Sequence, residues 1–530
     1  MDAALLTPGL WLLAFLPVLV LLVTFIALKW GAPKAGATAF FVALAVGALY
    51  FGGDARLLAI ASAKGLSLSL FVLSIIWSSV FLYNVVERLD GPRVVGTTMA
   101  RLVGDKLLQS LLIGWCFSGF LQGITGFGVP VAVATPLLTM VGIAPVPAAV
   151  MTLVGHAWAV TFGSVGSSYY TIVLVTKIPG ELIGPWMAAM FAVPIITSGF
   201  AVAHVHGGVA AMRRGAVPIL VTGSVMAFLL WGLTSLGAPQ IASIVAGLVG
   251  CLTIGALARL SPARVEERLA ADGGVAVTMP RTMGFHMAFL PYYVLIGITV
   301  LGQVPWVKDV AGGWAWGLDY PALKTSLGYV AQAERMYAKI NLTSHPAPII
   351  IGAALVSFLV YMLVGLWRPR AGREAARSTV RQCVPSSVGI ATTVMMALVM
   401  NDTGQTTLLA HGIARATGAV FPLLSPYIGV LGCFMTGSNT TSNVMFGSLQ
   451  METAKGLGVS TVILAAAQSV GGSMGSIIAP AKVLVGAAVV KLNGREGELM
   501  ARAIPYCVLL VLLVGIETWL MVYVLFPNLP

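Results

Sequence analysis

The sequence is poor in charge. Of its 530 residues only 18 are Asp or Glu and 30 are Lys or Arg, so 9% are charged, where an ordinary soluble domain carries about a quarter. That scarcity excludes a soluble enzyme. Cysteine is equally sparse: Cys116, Cys251, Cys383, Cys433 and Cys507 stand singly and are odd in number, which argues against a disulfide framework and a CxxC metal site. His204 and His206 sit at a span end with no third ligand near them in sequence, so no metal and no cofactor is expected. The net charge of +12 would suit nucleic acid, but the basic residues fall in short clusters between apolar runs, a pattern that membrane orientation explains more simply.

What is present is apolar surface, 58% of residues, interrupted by 60 Gly and 28 Pro. A hydrocarbon slab of about 30 Å needs about 20 apolar residues per helical crossing, which predicts an all-α polytopic membrane protein with about 12–16 transmembrane segments. Single spans are expected near 9–29, 35–52, 66–87, 184–206, 215–235, 238–258, 284–303, 347–367, 384–400 and 504–526. The first run follows Asp2 rather than a basic segment and is too long for a signal-peptide core, so it reads as a retained span.

Two stretches resist a single-span reading. Residues 107–176 contain no Lys, Arg, Asp or Glu yet are broken repeatedly by Gly and Pro, and 416–490 is similar apart from Glu452, Lys455 and Lys482. Placing Arg368, Arg370, Arg373, Arg377 and Arg381 in the cytoplasm assigns the other loops by parity. Twenty of the 30 basic residues then fall inside, among them Lys29, Arg264, Arg268, Arg281 and Arg495, while Lys64, Lys177, Lys308 and five others fall outside. The bias predicts a plasma (inner) membrane protein with both termini outside.

Sliding the chain by 314 positions pairs Arg101 with Arg415, Phe120 with Phe434, Gly123 with Gly437 and Gly142 with Gly456; after a five-residue deletion Gly163-Ser164-Val165-Gly166-Ser167 meets Gly472-Ser473-Met474-Gly475-Ser476. The charge pattern puts Arg101 inside and Arg415 outside, so the repeat is expected to be inverted, with broken or re-entrant helices forming half-sites at the bilayer midplane. The expected organisation is 1–100 as N-terminal scaffold spans, 101–183 as the first repeat, 184–400 as middle spans with loops 304–346 (periplasmic) and 368–381 (cytoplasmic), 401–490 as the second repeat, and 491–530 as the C-terminal span.

Backbone that leaves the helix inside a membrane is tolerated where protein or a wet cavity satisfies it. The breaks therefore point to a binding site. In the first, Gln122, Gly123, Thr125, Gly126 and Gly128 precede Pro130; in the second, Ser438, Asn439, Thr440, Thr441, Ser442 and Asn443 form a polar run at membrane depth. Helix N-termini meeting there would cradle a carboxylate, amides and hydroxyls would bond a substrate hydroxyl, and carbonyl-lined breaks suit sodium instead. The bland alternative is close helix packing by small residues.

Phe120-Leu121-Gln122-Gly123-Ile124-Thr125-Gly126-Phe127-Gly128-Val129-Pro130 together with Gly437-Ser438-Asn439-Thr440-Thr441-Ser442-Asn443-Val444-Met445-Phe446-Gly447-Ser448-Leu449-Gln450 resembles the paired signatures of the L-lactate permease family. The likeness continues through Phe421-Pro422, Ser425-Pro426 and 471–480. It implies proton-coupled symport of lactate, glycolate or a related 2-hydroxy monocarboxylate by a two-domain, elevator-like carrier. The chain departs from the family pattern at Gln122, where Glu is usual, at Asn439, where some members have Asp, at Ser476, where a Gly-Lys pair is usual, and at His156, where a neutral residue is common. An amide cannot exchange the coupling proton.

Three ionisable residues remain as coupling candidates. His156 is the sole conventional acid–base group of 107–176 and either carries the proton or is a satisfied core histidine. Lys482 either attracts the substrate carboxylate or snorkels to the headgroups. Glu517, in the middle of the last span, is a functional candidate or the partner of a base on another helix. Asp402 reads as a helix cap or solvated end. Ser473 joins the substrate set through the matched Gly-Ser motif; its G-x-S-x-G string lacks the strand-to-helix turn of a hydrolase nucleophile, so no enzyme is expected. The expected partners are a small carboxylate, a proton or sodium ion and the lipid bilayer, without nucleic acid; a homodimer is compatible with this design. The rival functions are a sodium-coupled carrier of another small organic anion and an anion channel.

Overall fold

The structure is a computed structural model of the whole chain and is described for all residues except 1–6, 29, 102, 127, 261–282, 303, 305, 308–309, 311–313, 343–344, 368–369, 493–495 and 530. Asp2, Lys29, Phe127, Arg264, Arg268, Arg281, Lys308, Arg368 and Arg495 therefore lie outside the described residues. Among the described residues eleven helices are long and apolar enough to cross a membrane, or twelve if one bent pair counts as a span.

The first part of the chain forms α1 (Pro8–Ile26), α2 (Ala32–Tyr50), α3 (Ala55–Glu87) and the short α4 (Gly91–Ala100). The helix starts follow local chemistry. Thr7 accepts from the Leu10 amide at 3.3 Å and Asp54 from the Leu57 amide at 2.7 Å, while Pro occupies the first turn of α1 and α2. The charge-free stretch becomes α5 (Lys106–Ile124, opened by Asp105 and containing a π turn), α6 (Val129–Met140), α7 (Pro145–Gly155) and α8 (Gly163–Thr176). Next come α9 (Gly180–Met190), α10 (Ala192–Ser235), α11 (Pro239–Leu260) and α12 (Phe285–Leu301). Residues 180–235 run as 56 helical residues, about 84 Å at 1.5 Å each and far more than one crossing. Non-helical dihedrals at Gly207 and Gly208 break them where the two expected spans meet.

The 304–346 segment contains two small sheets rather than a bare loop. Strand β1 (Ala315–Tyr320) pairs antiparallel with β4 (Glu334–Asn341), Leu318 facing Tyr337, and β2 (Leu323–Lys324) pairs with β3 (Val330–Ala331). This hairpin docks on α3 through the Tyr320 hydroxyl, 3.0 Å from the Ala63 carbonyl, and on the α2–α3 connection through Ser326, whose amide donates to Gly52 at 2.9 Å.

The remaining elements are α13 (Pro346–Leu363), α14 (Ala371–Asp402), α15 (Gln405–Thr417), α16 (Phe421–Thr436), α17 (Asn439–Leu457), α18 (Thr461–Gly475), α19 (Pro480–Val489) and α20 (Glu496–Leu520). The expected 368–381 loop is helical from Ala371 onward, because Ala, Arg and Glu are strong helix formers that need no burial. The element order of the second half repeats that of the first: a helix of 33 (α3) or 32 (α14) residues, a short helix, then helix, break, two helices, break and helix.

Helices α3 and α14 lie antiparallel. Lys64 meets Asp402, Trp77 donates to Ser387 at 2.9 Å, Asn84 to Thr379 at 2.9 Å, and Arg88 reaches Ser378. One large apolar core runs from α3 through α12 and on to α20, and a second joins α1 and α2 to α14–α17.

Candidate functional site

Four interruptions of helix converge on the interior. After α5, Thr125 turns extended and Gly128, at φ 82°, starts α6; after α16, Gly437 at φ 73° and extended Ser438 start α17. Both glycines hold a left-handed conformation that a Cβ would strain. Between α7 and the body of α8 the backbone passes through three successive left-handed residues, Ser164, Val165 and Gly166. Between α18 and α19 the break is 476–479.

These breaks bound a cavity of about 190 Å³, lined by Gln122 and Gly126 from the first, Ser164, Ser167 and Ser168 from the second, Ser438 to Thr441 from the third, and Ala481 and Lys482 beyond the fourth. Ile76 of α3 and Ser386, Ile390 and Thr393 of α14 close its far side. Of the expected substrate residues, Gln122, Gly126, Ser438, Asn439, Thr440 and Thr441 thus share one chamber.

Gly123, Thr125, Gly128, Ser442, Asn443 and Ser473 stand behind its wall. Much of the polar run is spent joining the two halves of the chain. Asn439 Nδ2 donates to Thr161 Oγ1 at 3.0 Å and to the Ser469 carbonyl at 3.1 Å; Asn443 Nδ2 donates to the Ser168 carbonyl at 3.0 Å and to Ser469 Oγ at 2.9 Å. Thr161 and Ser473 hydroxyls lie 2.9 Å apart, as do those of Ser168 and Thr440, and Ser442 donates to the Gly429 carbonyl at 2.8 Å. Buried hydroxyls and amides are costly unless paired, so this seam fixes the breaks in register. Gln122 Oε1 and Asn439 Oδ1 accept no hydrogen bond among the described residues.

Lys482 does not snorkel. It is 6% exposed, and its Nζ lies 3.0 Å from His156 Nε2. His156 Nδ1 lies 2.7 Å from the Thr152 carbonyl, which can only accept, so Nδ1 carries the hydrogen and Nε2 offers its lone pair to the ammonium. No Asp or Glu lines the cavity among the described residues. Glu517, on α20, does not line it either, and its Oε2 has no hydrogen-bond partner among the described residues.

Two features escaped the sequence reading. Thr161, Ser469 and Gln468 complete the seam, and only the Ser164/Ser473 correspondence pointed near them. Asp402, expected as a cap or solvated end, forms an ion pair with Lys64 at 2.9 Å, the side chains being 9% and 3% exposed. Lys64, expected in an outer loop, lies within α3 because that helix begins eleven residues before the expected span.

A family model described as L-lactate permease matches residues 11–525. The L-lactate permease of Salmonella typhimurium is 28% identical over 539 residues, 98% of this chain and 97% of its own. The glycolate permease GlcA of Escherichia coli is 27% identical over 541 residues, 97% of this chain and 96% of its own. The solved structure of MtrF from Neisseria gonorrhoeae, one of a class of antimetabolite efflux pumps, overlays with a TM-score of 0.48 at 12% identity, covering 94% of this chain and 97% of that one. The relatives are permeases, not enzymes, and the match spans both motif-bearing halves and the apolar helices between them: the chain is a multi-pass membrane protein that belongs to the L-lactate permease family.

Proposed function

We propose that the protein carries lactate, glycolate or a related 2-hydroxy monocarboxylate across the inner membrane together with a proton, and that the 190 Å³ cavity is the substrate site. The observation that carries this reading is Lys482: a buried cation facing a polar chamber without an acid on its wall, bonded instead to a neutral imidazole. A charge so placed is costly unless paired, and a carboxylate from solution pairs it. The volume exceeds the roughly 10–15 Å³ that one water needs and falls below the roughly 300 Å³ of a drug-sized pocket, the scale of a two- or three-carbon acid. Gln122 Oε1, with its unused acceptor, suits the substrate's 2-hydroxyl, and the amides opening α17 suit the carboxylate beside Lys482.

The same geometry couples a proton. When the carboxylate draws Lys482 Nζ away, His156 Nε2 loses its donor and is free to take a proton from water; when the substrate leaves, the ammonium returns and the proton goes back to water. His156 then replaces the acid that Gln122 lacks. The matching element orders and the antiparallel α3–α14 pair support an inverted repeat and an alternating-access, elevator-like motion of the broken helices past that pair.

Uptake of labelled lactate, glycolate and pyruvate into proteoliposomes under separate proton and sodium gradients tests the reading. The expected result is accumulation of the hydroxy acids driven by the proton gradient and lost in Lys482→Met. Accumulation driven by sodium alone would favour the sodium-coupled alternative, and flux without counterflow exchange would favour a channel.

A further inference from the structure

We propose that Asp402 is a proton-sensing positioning residue of the transport cycle: ionised, it ties α14 to α3 through Lys64 and attracts Lys177, so that the far ends of α8 and α17 stay packed against the α3–α14 pair, and protonated from the hairpin side it lets them go. The inference rests on the carrier reading above.

The Lys64–Asp402 pair does not stand alone. Lys64 Nζ also lies 3.5 Å from the Gln332 carbonyl, and beside it Lys177 forms an ion pair with Glu334 of β4. All four charged side chains, with Asn401, Tyr337 and Ser448, line a chamber of about 20 Å³, enough for a single water. A cleft of about 930 Å³ on the hairpin side shares Leu174, Lys177, Glu334 and Tyr337 with that chamber. The Lys177–Glu334 pair and Tyr337 therefore form the partition between open cleft and Asp402.

The cluster is joined to the substrate site by two helices. Lys177 is the left-handed residue that ends α8, whose Ser164, Ser167 and Ser168 line the substrate cavity at the other end. Ser448 of α17 donates to the Val175 carbonyl of α8 at 3.2 Å, and α17 begins at the cavity with Asn439. On α14 the cavity-lining Thr393 and Asp402 are nine residues apart, about 13 Å of helix. Charge at the cluster thus acts on the position of both helices that hold substrate.

The titratable and charged groups around Asp402 are Lys64 of α3, Lys177 of α8, Glu334 and Tyr337 of β4, and Tyr329 of the β2–β3 turn. Burial raises both phenols, which stay protonated, so the carboxylates are the groups that accept a proton. A proton from water in the cleft adds to a carboxylate oxygen of Asp402. Lys64 keeps its charge and is left with the Gln332 carbonyl, and the proton returns to water when the pair re-forms. The step moves no net charge across the membrane; it sets how readily the helices are released.

Counterflow exchange of labelled lactate in proteoliposomes, with equal pH on both sides, tests this without regard to orientation. Wild-type exchange is expected to rise as pH falls, by up to about tenfold per pH unit where one proton is taken up. Asp402→Asn gives faster exchange with a shallower pH dependence, the part that remains being the proton taken up at His156. Lys64→Met/Asp402→Asn does the same and leaves no buried lysine without its acid, so it decides the matter if the single variant does not fold. Glu334→Gln moves the midpoint without flattening the curve. A double variant that keeps the wild-type pH profile overturns the inference alone; a flat wild type overturns it together with proton coupling at His156, and a wild type that exchanges no lactate at any pH overturns the carrier reading.

Discussion

Two lysines are buried among the described residues, and their partners differ. Lys64 faces Asp402 at 2.9 Å; Lys482 faces the lone pair of His156 at 3.0 Å. The first charge is neutralised by the fold. The second is only solvated by it. A buried cation already paired with a carboxylate needs no anion from solution, whereas one held by a neutral base can exchange that base for an anion. On the proposed reading the difference separates a structural or gating charge from a substrate-binding one, although both lie on helices in the membrane region.

The largest expected effect breaks the closed pair. Lys64→Met leaves Asp402 buried and uncompensated, destabilising by about 3–5 kcal/mol, and adding Asp402→Asn restores most of the loss; thermal unfolding in detergent measures both. At the open pair the outcome reverses. Lys482→Met orphans no acid, so stability holds, but lactate binding weakens by about 2–5 kcal/mol, roughly thirty- to several-thousand-fold in affinity. Equal destabilisation by the two substitutions would erase the distinction.

An intermediate effect sharpens it. Gln122→Glu places an acid on the wall that Lys482 faces. The pH dependence of uptake should then steepen toward acid, since the ionised side chain competes with substrate for the ammonium, and an unchanged pH profile in vesicle uptake would count against that shared site. Outside the membrane, burial pushes His345 down to about 4 from 6.5. The unfolded chain binds that proton more readily, so stability is full above pH 6.5 and falls as pH drops toward 4, by about 1–2 kcal/mol at pH 5. His345→Asn, which can still accept from the Ala347 amide, should remove that slope in pH-dependent melting. The smallest effect is Thr440→Val, which removes the hydroxyl contacts to Ser168 at 2.9 Å and Ser167 at 3.4 Å and costs about 1 kcal/mol.

Much of the candidate site was legible because glycine, proline and polar residues at membrane depth have few structural excuses. Gly128 and Gly437 marked the breaks, and Gln122, Gly126 and Ser438–Thr441 meet at the cavity as their clustering suggested. Ser442, Asn443 and Ser473 could not be sorted from them by sequence, because which side of a helix start faces the chamber depends on packing against α8 and α18. Asp402 was misread for a similar reason: its partner lies 338 residues away, and helix α3 begins beyond the hydrophobic window that located it. The β hairpin was hidden in a segment whose strands show no strict alternation of buried and exposed residues.

The central claim is that Lys482 takes a carboxylate from solution. Equilibrium binding of lactate to the purified protein tests it most directly, comparing wild type, Lys482→Met and Lys64→Met/Asp402→Asn. The account predicts saturable binding in wild type and in the double variant and its loss in Lys482→Met; wild-type affinity in Lys482→Met would contradict it.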